Sequence, residues 1–194
     1  MRFKIKVDVN SVAIKNMAEK TASIVNKLLG NNHKWHDLER KPYTCSFIVG
    51  GIKNEDTIIY NDDSYLYFNT EDSEVIDAIL ANKNIEFNIE NNKVNNEVNL
   101  LTIKRVIYNN NGKKVWITEN NKSQYEKYLN LKYGISAEIL KIRNSTIHYK
   151  NAILNTSDLL IKCSNNKNVA NLFESGIGGS CSIGFGFVEN INKQ

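Results

Sequence analysis

Three side chains able to move or offset charge stand close together in this sequence: His33, His36 and Lys41. Imidazole is the side chain whose ordinary pKa, near 6.5, lets it exchange protons around neutrality. His33 and His36 are three apart, so they share a face if the segment is helical. Paired histidines can divide two proton transfers between them. Lys41 carries a cation that could meet developing negative charge. Two histidines also suggest a metal site, yet no third ligand sits at a recognisable spacing. Asp37 and Glu39 read as surface charges. On these residues alone, a solvated loop histidine is the plainer reading of His36, and His33 reads either way.

A second stretch with chemical potential lies near the C-terminus. Two Gly-apolar-Gly triplets, Gly176-Ile177-Gly178 and Gly184-Phe185-Gly186, flank the spacer Gly179-Ser180-Cys181-Ser182-Ile183. Glycines this dense let backbone turn sharply and approach a ligand. Turned N–H groups can form a nest for phosphate oxygens. A dinucleotide fingerprint is excluded, because the sixth position from Gly176 is Cys181 and a strand follows instead of a helix. A Walker loop is excluded because the stretch has no lysine. A glycine-rich helix stop that binds nothing remains open.

The order of a helix near Lys167–Ser175, this glycine loop and a final strand resembles the C-terminal signature of the CRISPR repeat-RNA endoribonucleases of the repeat-associated mysterious protein superfamily. Their pattern is G-h-G-x5-G-h-G, with h apolar. Gly176, Gly178, Gly184 and Gly186 fill its glycine positions, with Ile177 and Phe185 between them. A second motif resembles the same family: His36 after the first helix, then Lys41-Pro42-Tyr43-Thr44 and Ser46 entering a strand. The spacer departs from the pattern in offering no basic residue, which leaves backbone N–H groups and the hydroxyls of Ser180 and Ser182 as donors.

The elements that must position these residues follow from periodicity. The chain has 194 residues, enough for one large domain or two small ones. Phe3, Ile5, Val7 and Val9 alternate with charged residues as a half-buried strand. Asn10 or Ser11 can cap the next helix. Ile14, Met17, Ala18, Thr21, Ile24, Val25 and Leu28 recur at helical spacing, and Gly30 stops them. Tyr43 to Val49 reads as a strand. Thr57–Tyr60 and Tyr65–Phe68 flank a hairpin turn at Asn61–Ser64. A helix begins at Ser73. Ile85, Phe87 and Ile89 alternate, and Leu101, Ile103 and Ile107 mark a longer strand after an asparagine-rich turn.

The pattern then repeats beyond the loop Asn109-Asn110-Asn111-Gly112. Val115 and Ile117 lie on a strand. Ser123 and Glu126 suggest a capping box for a helix through Tyr133. Ile139–Lys150 and Ile153–Cys163 pair antiparallel. A last helix holds Val169, Ala170, Leu172 and Phe173, and a strand from Ile183 to Ile191 closes the chain. The expected class is α+β, with two tandem ferredoxin-like βαββαβ halves, 1–109 and 110–194, and the glycine-rich loop at the C-terminal end. The resemblance implies the same tandem architecture.

Charge is +4 with a pI near 8.8, compatible with nucleic acid but below a strongly basic footprint. Cys45, Cys163 and Cys181 are few and far apart, which argues against zinc and disulfide frameworks. No apolar run suits a signal peptide or a membrane helix, so a cytoplasmic protein without membrane contact is expected.

The resemblance implies a metal-independent endoribonuclease that needs no cofactor. RNA supplies its own nucleophile, since the 2′-OH can attack the adjacent phosphate. The products then carry a 2′,3′-cyclic phosphate and a 5′-OH. On that basis His36 is the general acid or base, Lys41 stabilises the phosphorane, and His33 is a second proton-transfer partner. Gly176, Gly178, Ser180, Ser182, Gly184 and Gly186 contact RNA. Lys104, Arg105, Lys141 and Arg143 are candidate phosphate contacts, with exposed strand charge as the plainer alternative. Trp35 could stack on a nucleotide, Tyr43 belongs to the core, and His148 is structural. The expected partners are CRISPR repeat RNA and, as in relatives, other subunits of a CRISPR effector complex; a homodimer is compatible. The alternative is a non-catalytic RNA-binding subunit of such a complex.

Overall fold

The structure, a computed structural model, describes residues 1–30, 33–39, 41–90, 98–164 and 167–191. Asn31, Asn32, Arg40 and the asparagine-rich turn at 91–97 lie outside the described residues. The chain begins with β1 (Arg2–Lys6), β2 (Ser11–Ala13), α1 (Met17–Leu29), β3 (Tyr43–Cys45), β4 (Ile52–Asn54), β5 (Thr57–Ile59), β6 (Tyr65–Thr70), α2 (Ser73–Ala81) and β7 (Phe87–Glu90). It continues with β8 (Val98–Val106), β9 (Tyr108–Asn110), β10 (Lys113–Val115), α3 (Lys122–Tyr133), β11 (Ala137–Tyr149), β12 (Ala152–Ser164), α4 (Lys167–Ser175) and β13 (Phe187–Asn190). The class is α+β, with four sheets and four α-helices among the described residues. None of these helices is long and apolar enough to cross a membrane.

Two compact units form. One holds Met1–Asn91, Ile147–Ile153 and Ser182–Gly184; the other holds Asn92–Thr146, Leu154–Cys181 and Phe185–Gln194.

In the first unit the main sheet has the order β3-β6-β1-β7. The period of two in β1 turns Phe3 and Ile5 to one face. There they meet Phe68 and Leu66 on one side and Ile89 and Phe87 on the other. α1 buries Met17, Ala18, Thr21, Val25 and Leu28, and α2 buries Val75 and Ile79. These stripes complete the core. Asp72 starts α2 by accepting the Val75 N–H at 3.0 Å, which satisfies one of the orphan donors of a helix start. A small sheet, β2-β5-β4, sits in the same unit.

In the second unit the main sheet has the order β11-β12-β8-β13. Leu101, Ile103, Leu159, Ile161 and Val188 form its buried face against Tyr125, Leu129, Val169, Leu172 and Phe173 of the helices. The connections match those of the first sheet. In each, a first strand leads to a helix, two neighbouring strands, a second helix and a last strand, and the last strand pairs with the first. β9 and β10 form a separate two-stranded ribbon.

Several local expectations need correction. The strand at Leu101–Ile107 was assigned to the end of the first half, but β8 pairs with β12 and β13. Alternation reveals a strand, not its neighbour. The first sheet therefore closes with β7, and Val115 lies on the ribbon instead of opening the second sheet. The turn at Asn61–Ser64 forms, with Ser64 N–H donating to Asn61 O at 3.0 Å. Its flanking strands do not pair with each other: β5 pairs with β2 and β4, while β6 pairs with β1 and β3.

Ser11 lies on β2 instead of capping α1, whose N-cap position is Asn16. The Ser123/Glu126 capping box is not made: the N-cap position is Asn121, and Glu126 accepts the Ile139 N–H at 2.8 Å. The last strand begins at Phe187, because Gly184 and Gly186 take left-handed φ values of 100° and 61° that extended backbone cannot use.

Candidate active site and glycine loop

α1 stops at Gly30, whose φ of 90° suits a residue without Cβ. The chain then coils through single turns: His33 N–H to Gly30 O at 3.2 Å, His36 N–H to His33 O at 2.9 Å and Leu38 N–H to Trp35 O at 3.3 Å. These turns bring the two imidazoles together, with ring centres 5.9 Å apart and planes at 66°. Trp35 anchors the segment, buried at 7% exposure, with its ring 5.6 Å from that of His33. Tyr43 of β3 lies 6.3 Å from His33 and stacks on Phe68 at 4.9 Å, the core role expected of it.

His36 is 55% exposed, and its Nδ1 lies 3.0 Å from Asp37 Oδ1. The hydrogen bond and charge of His36 hold the Asp37 carboxyl below its usual range. An ionised carboxylate only accepts, so in this contact Nδ1 carries the proton and Nε2 is the unprotonated nitrogen of the neutral ring. Asp37, read from sequence as a surface charge, is thus the residue that sets the tautomer. Its spacing of one residue from His36 was the available signal.

His33 sits differently. Both ring nitrogens are enclosed, without a hydrogen-bond partner among the described residues. Burial first, then the charges of His36 and Lys41, push its pKa below the ordinary value. The ring is therefore neutral near pH 7. Below pH 6.5 the unfolded chain protonates this histidine before the folded chain does. Stability should therefore fall with pH from 6.5 down to the lowered folded value. His33→Gln is expected to remove that decline, as read from urea midpoints across pH 5 to 8.

Lys41 folds back onto the same loop. Its ammonium donates to Leu38 O at 2.7 Å and to His36 O. Two of its three donors therefore brace the turn that carries the histidine, and the third has no acceptor among the described residues.

The glycine loop is built around two backbone approaches. Ile177 N–H donates to Gly186 O at 2.9 Å, and a Cβ on Gly186 would stand 1.9 Å from Ile177 O. Ile177 and Gly186 therefore lie backbone against backbone. A Cβ on Gly184 would stand 2.8 Å from the Phe47 ring. Gly176 N–H goes to Leu172 O at 2.9 Å and Gly186 N–H to Arg105 O at 3.3 Å. Gly178 N–H goes to the Tyr133 hydroxyl at 2.9 Å. These N–H groups are spent on acceptors of the protein itself, whereas the tip of the loop, Gly179 and Ser180, is exposed. Ser180 holds a left-handed φ of 60°. Ser182 lies in a short 3-10 turn, and its carbonyl accepts from Cys45 Sγ of β3 at 3.1 Å.

Tyr133 was missed in the sequence, where nothing distinguishes it from the other tyrosines of α3. Burial pushes its pKa up, so the hydroxyl stays neutral and able to accept. Tyr133→Phe leaves Gly178 N–H unpaired, at a cost of about 1–3 kcal/mol if it stays dry. Faster amide exchange at Gly178–Ser180 is the expected result.

His33, His36 and Lys41 thus share one loop of the first unit, and Ser182 and Gly184 belong to the same unit through Cys45 and Phe47. Gly176, Gly178, Ser180, Gly186 and the four basic candidates belong to the second unit. Lys104 is exposed on β8, and the Arg105 backbone takes a left-handed φ of 56°, with its N–H on Asp158 Oδ1 at 2.7 Å. Lys141 and Arg143 are exposed on the edge strand β11. β12 separates the two pairs, so they are not neighbours in the sheet. His148 is exposed on β11, with no contact that gives it a role. Among the described residues no three His, Cys, Asp or Glu side chains converge as a metal site requires.

The fold is similar to that of solved CRISPR-associated Cas6 and RAMP proteins, the family that the two sequence motifs resemble. A solved structure of "CRISPR associated protein Cas6" is 20% identical, with a TM-score of 0.64 and 99% of each chain covered. "An RAMP protein binding different RNA substrates" is 17% identical, with a TM-score of 0.67, covering 99% of this chain and 100% of that one. A Cas6-related protein from Pyrococcus furiosus is 17% identical, with a TM-score of 0.65, covering 100% and 99%. No family model matches the chain, and no curated protein matches it in sequence.

Proposed function

We propose that the protein is a metal-independent endoribonuclease that cuts precursor CRISPR RNA within its repeat. The observation that carries this reading is the His36 imidazole, exposed and fixed through Nδ1 by Asp37, beside a second, enclosed imidazole 5.9 Å away. One proton must leave the 2′-OH and one must reach the departing 5′-oxygen. Nε2 of His36 takes one of these tasks; His33 is kept as the second proton-transfer partner, which requires its enclosed ring nitrogens to open to the substrate. The Lys41 ammonium meets the charge that builds on the phosphorane, and Ser180 and Ser182 are read as RNA contacts. The two sheets of matching connectivity are read as tandem ferredoxin-like halves.

Support comes also from what the similar folds are known by. One is a RAMP protein binding different RNA substrates. Another, Thermus thermophilus Cse3, at 12% identity and a TM-score of 0.56, is bound to an RNA representing a pre-cleavage complex. Lys104, Arg105, Lys141 and Arg143 are proposed to hold the RNA backbone. Each phosphate contact then steepens the loss of affinity with salt by about 0.7 in log–log slope. Lys141→Ala with Arg143→Ala is expected to lower the salt slope by about 1.4, measured by filter binding across salt.

The second reading is a non-catalytic RNA-binding subunit of a CRISPR effector complex. The inward-turned N–H groups of Gly176, Gly178 and Gly186 favour it, since they are not free to hold a reacting phosphate. Incubation of repeat RNA with the protein in EDTA separates the two. Cleavage supports the enzyme; retention of intact RNA supports the subunit.

A further inference from the structure

We propose that a surface cleft beside His36 is a nucleobase subsite, which seats adenine or cytosine from the nucleotide next to the bond that is cut. This rests on the endoribonuclease reading. The cleft is shallow and open to solvent, with a volume of about 460 Å³ between the His36 loop and the start of α2, within the range of small-ligand sites, roughly 300–1,000 Å³. Lys34, Trp35, Leu38, Lys41, Pro42 and Glu74 line it, together with Asp72. Lys41 joins it to the candidate active site, since the same ammonium that lines the cleft donates to the His36 carbonyl.

The walls are fixed to each other. The Thr70 hydroxyl donates to Pro42 O at 2.7 Å and accepts from the Asp72 N–H at 3.1 Å. Thr70 is fully buried, so one enclosed hydroxyl ties the loop wall to the helix wall. Asp72 is held further by its capping bond to Val75. The cleft is therefore preformed.

Its chemistry suits a flat, amino-bearing ring joined to phosphates. Trp35 and Pro42 supply apolar surface, and Leu38 is 47% exposed at the rim. Lys34 and Lys41 supply positive charge for the flanking phosphates. Lys34 pairs with the Glu74 carboxylate and lies 5.3 Å from the Trp35 ring centre. Glu74 is 63% exposed, so its carboxylate remains open to a ligand. A carboxylate beside an ammonium complements an amino group beside a ring nitrogen, the edge that adenine and cytosine present. Uracil presents a carbonyl where the amino group would be, and a carboxylate repels it. Carboxylates are used in this way to accept from the amino group of cytosine.

The chain has two tryptophans, so Trp116→Phe leaves Trp35 as the single indole emitter. This protein is titrated with 2′-O-methyl oligoadenylate, oligocytidylate and oligouridylate of equal length, which cannot be cut by 2′-OH attack. The expected result is a saturable change in Trp35 emission, with A and C binding about fivefold or more tighter than U. Glu74→Ala should erase that preference, and Leu38→Ala should weaken all three oligomers alike. The subsite is overturned if oligomers bind by anisotropy without moving Trp35 emission, if the preference survives Glu74→Ala, or if none of them binds. Repeat-RNA cleavage is measured on the same preparations. Cleavage with a silent Trp35 removes the subsite alone; absence of both cleavage and RNA binding removes the endoribonuclease reading with it.

Discussion

His36→Ala is expected to slow repeat-RNA cleavage by roughly 10²- to 10⁴-fold, the usual range for a positioned acid or base, while RNA affinity stays within about twofold. His36 is 55% exposed, and among the described residues its side chain hydrogen-bonds to Asp37, itself 98% exposed. Nothing in the core depends on it, so lost activity would not reflect lost folding. Asp37→Asn supplies the graded companion. It keeps a hydrogen bond to Nδ1 but can offer an amide donor as well as an acceptor, so the tautomer is no longer set. A smaller loss than that of His36→Ala is expected, because the pair is solvent-screened. Single-turnover rates with measured affinities distinguish these outcomes. Full activity in His36→Ala would assign the proton transfer to another group.

Gly186→Ala should have the largest effect on the fold. Its φ of 61° alone costs an alanine roughly 1–2 kcal/mol. The added methyl would also stand 1.9 Å from Ile177 O, and that backbone cannot retreat while Ile177 N–H is bound to Gly186 O. The combined strain is expected to exceed about 3 kcal/mol and to lower Tm by about 6 °C or more. RNA retention should be lost with it. Gly179→Ala is the matched control: nothing lies within 4 Å of its Cβ position, and Tm should be unchanged within about 1 °C. Calorimetry on the two variants checks both statements.

Much of the layout was legible because it is written in periodicity. β1, α1, α2, α3, β11, β12 and α4 sit where alternation or helical spacing put them, since each buries one face. Partner choice was not legible. β5 and β6 flank a good turn yet join different sheets, and β8 follows the first helix pair in sequence yet opens the second sheet. Such choices depend on contacts far apart in the chain. Caps failed for a related reason: Glu126 found a better-placed donor at Ile139 than its own helix start.

The candidate site was visible as residue types and invisible as roles. The histidines come together, but the burial that lowers the His33 pKa is not a local property of the sequence. The glycine pattern was legible as a loop. That its glycines serve backbone-to-backbone packing, with most of their N–H groups used internally, required the positions of Arg105, Tyr133 and Phe47 from distant strands and helices.

The central claim is that the RNA's own 2′-OH attacks, with His36 moving a proton. It is tested most directly with repeat RNA carrying a single 2′-deoxy nucleotide immediately 5′ of the mapped cut, incubated in EDTA. Unmodified RNA should be cut to a 2′,3′-cyclic phosphate and a 5′-OH, and the deoxy RNA should bind equally well and stay intact. Cleavage of the deoxy RNA at the same bond would contradict the account.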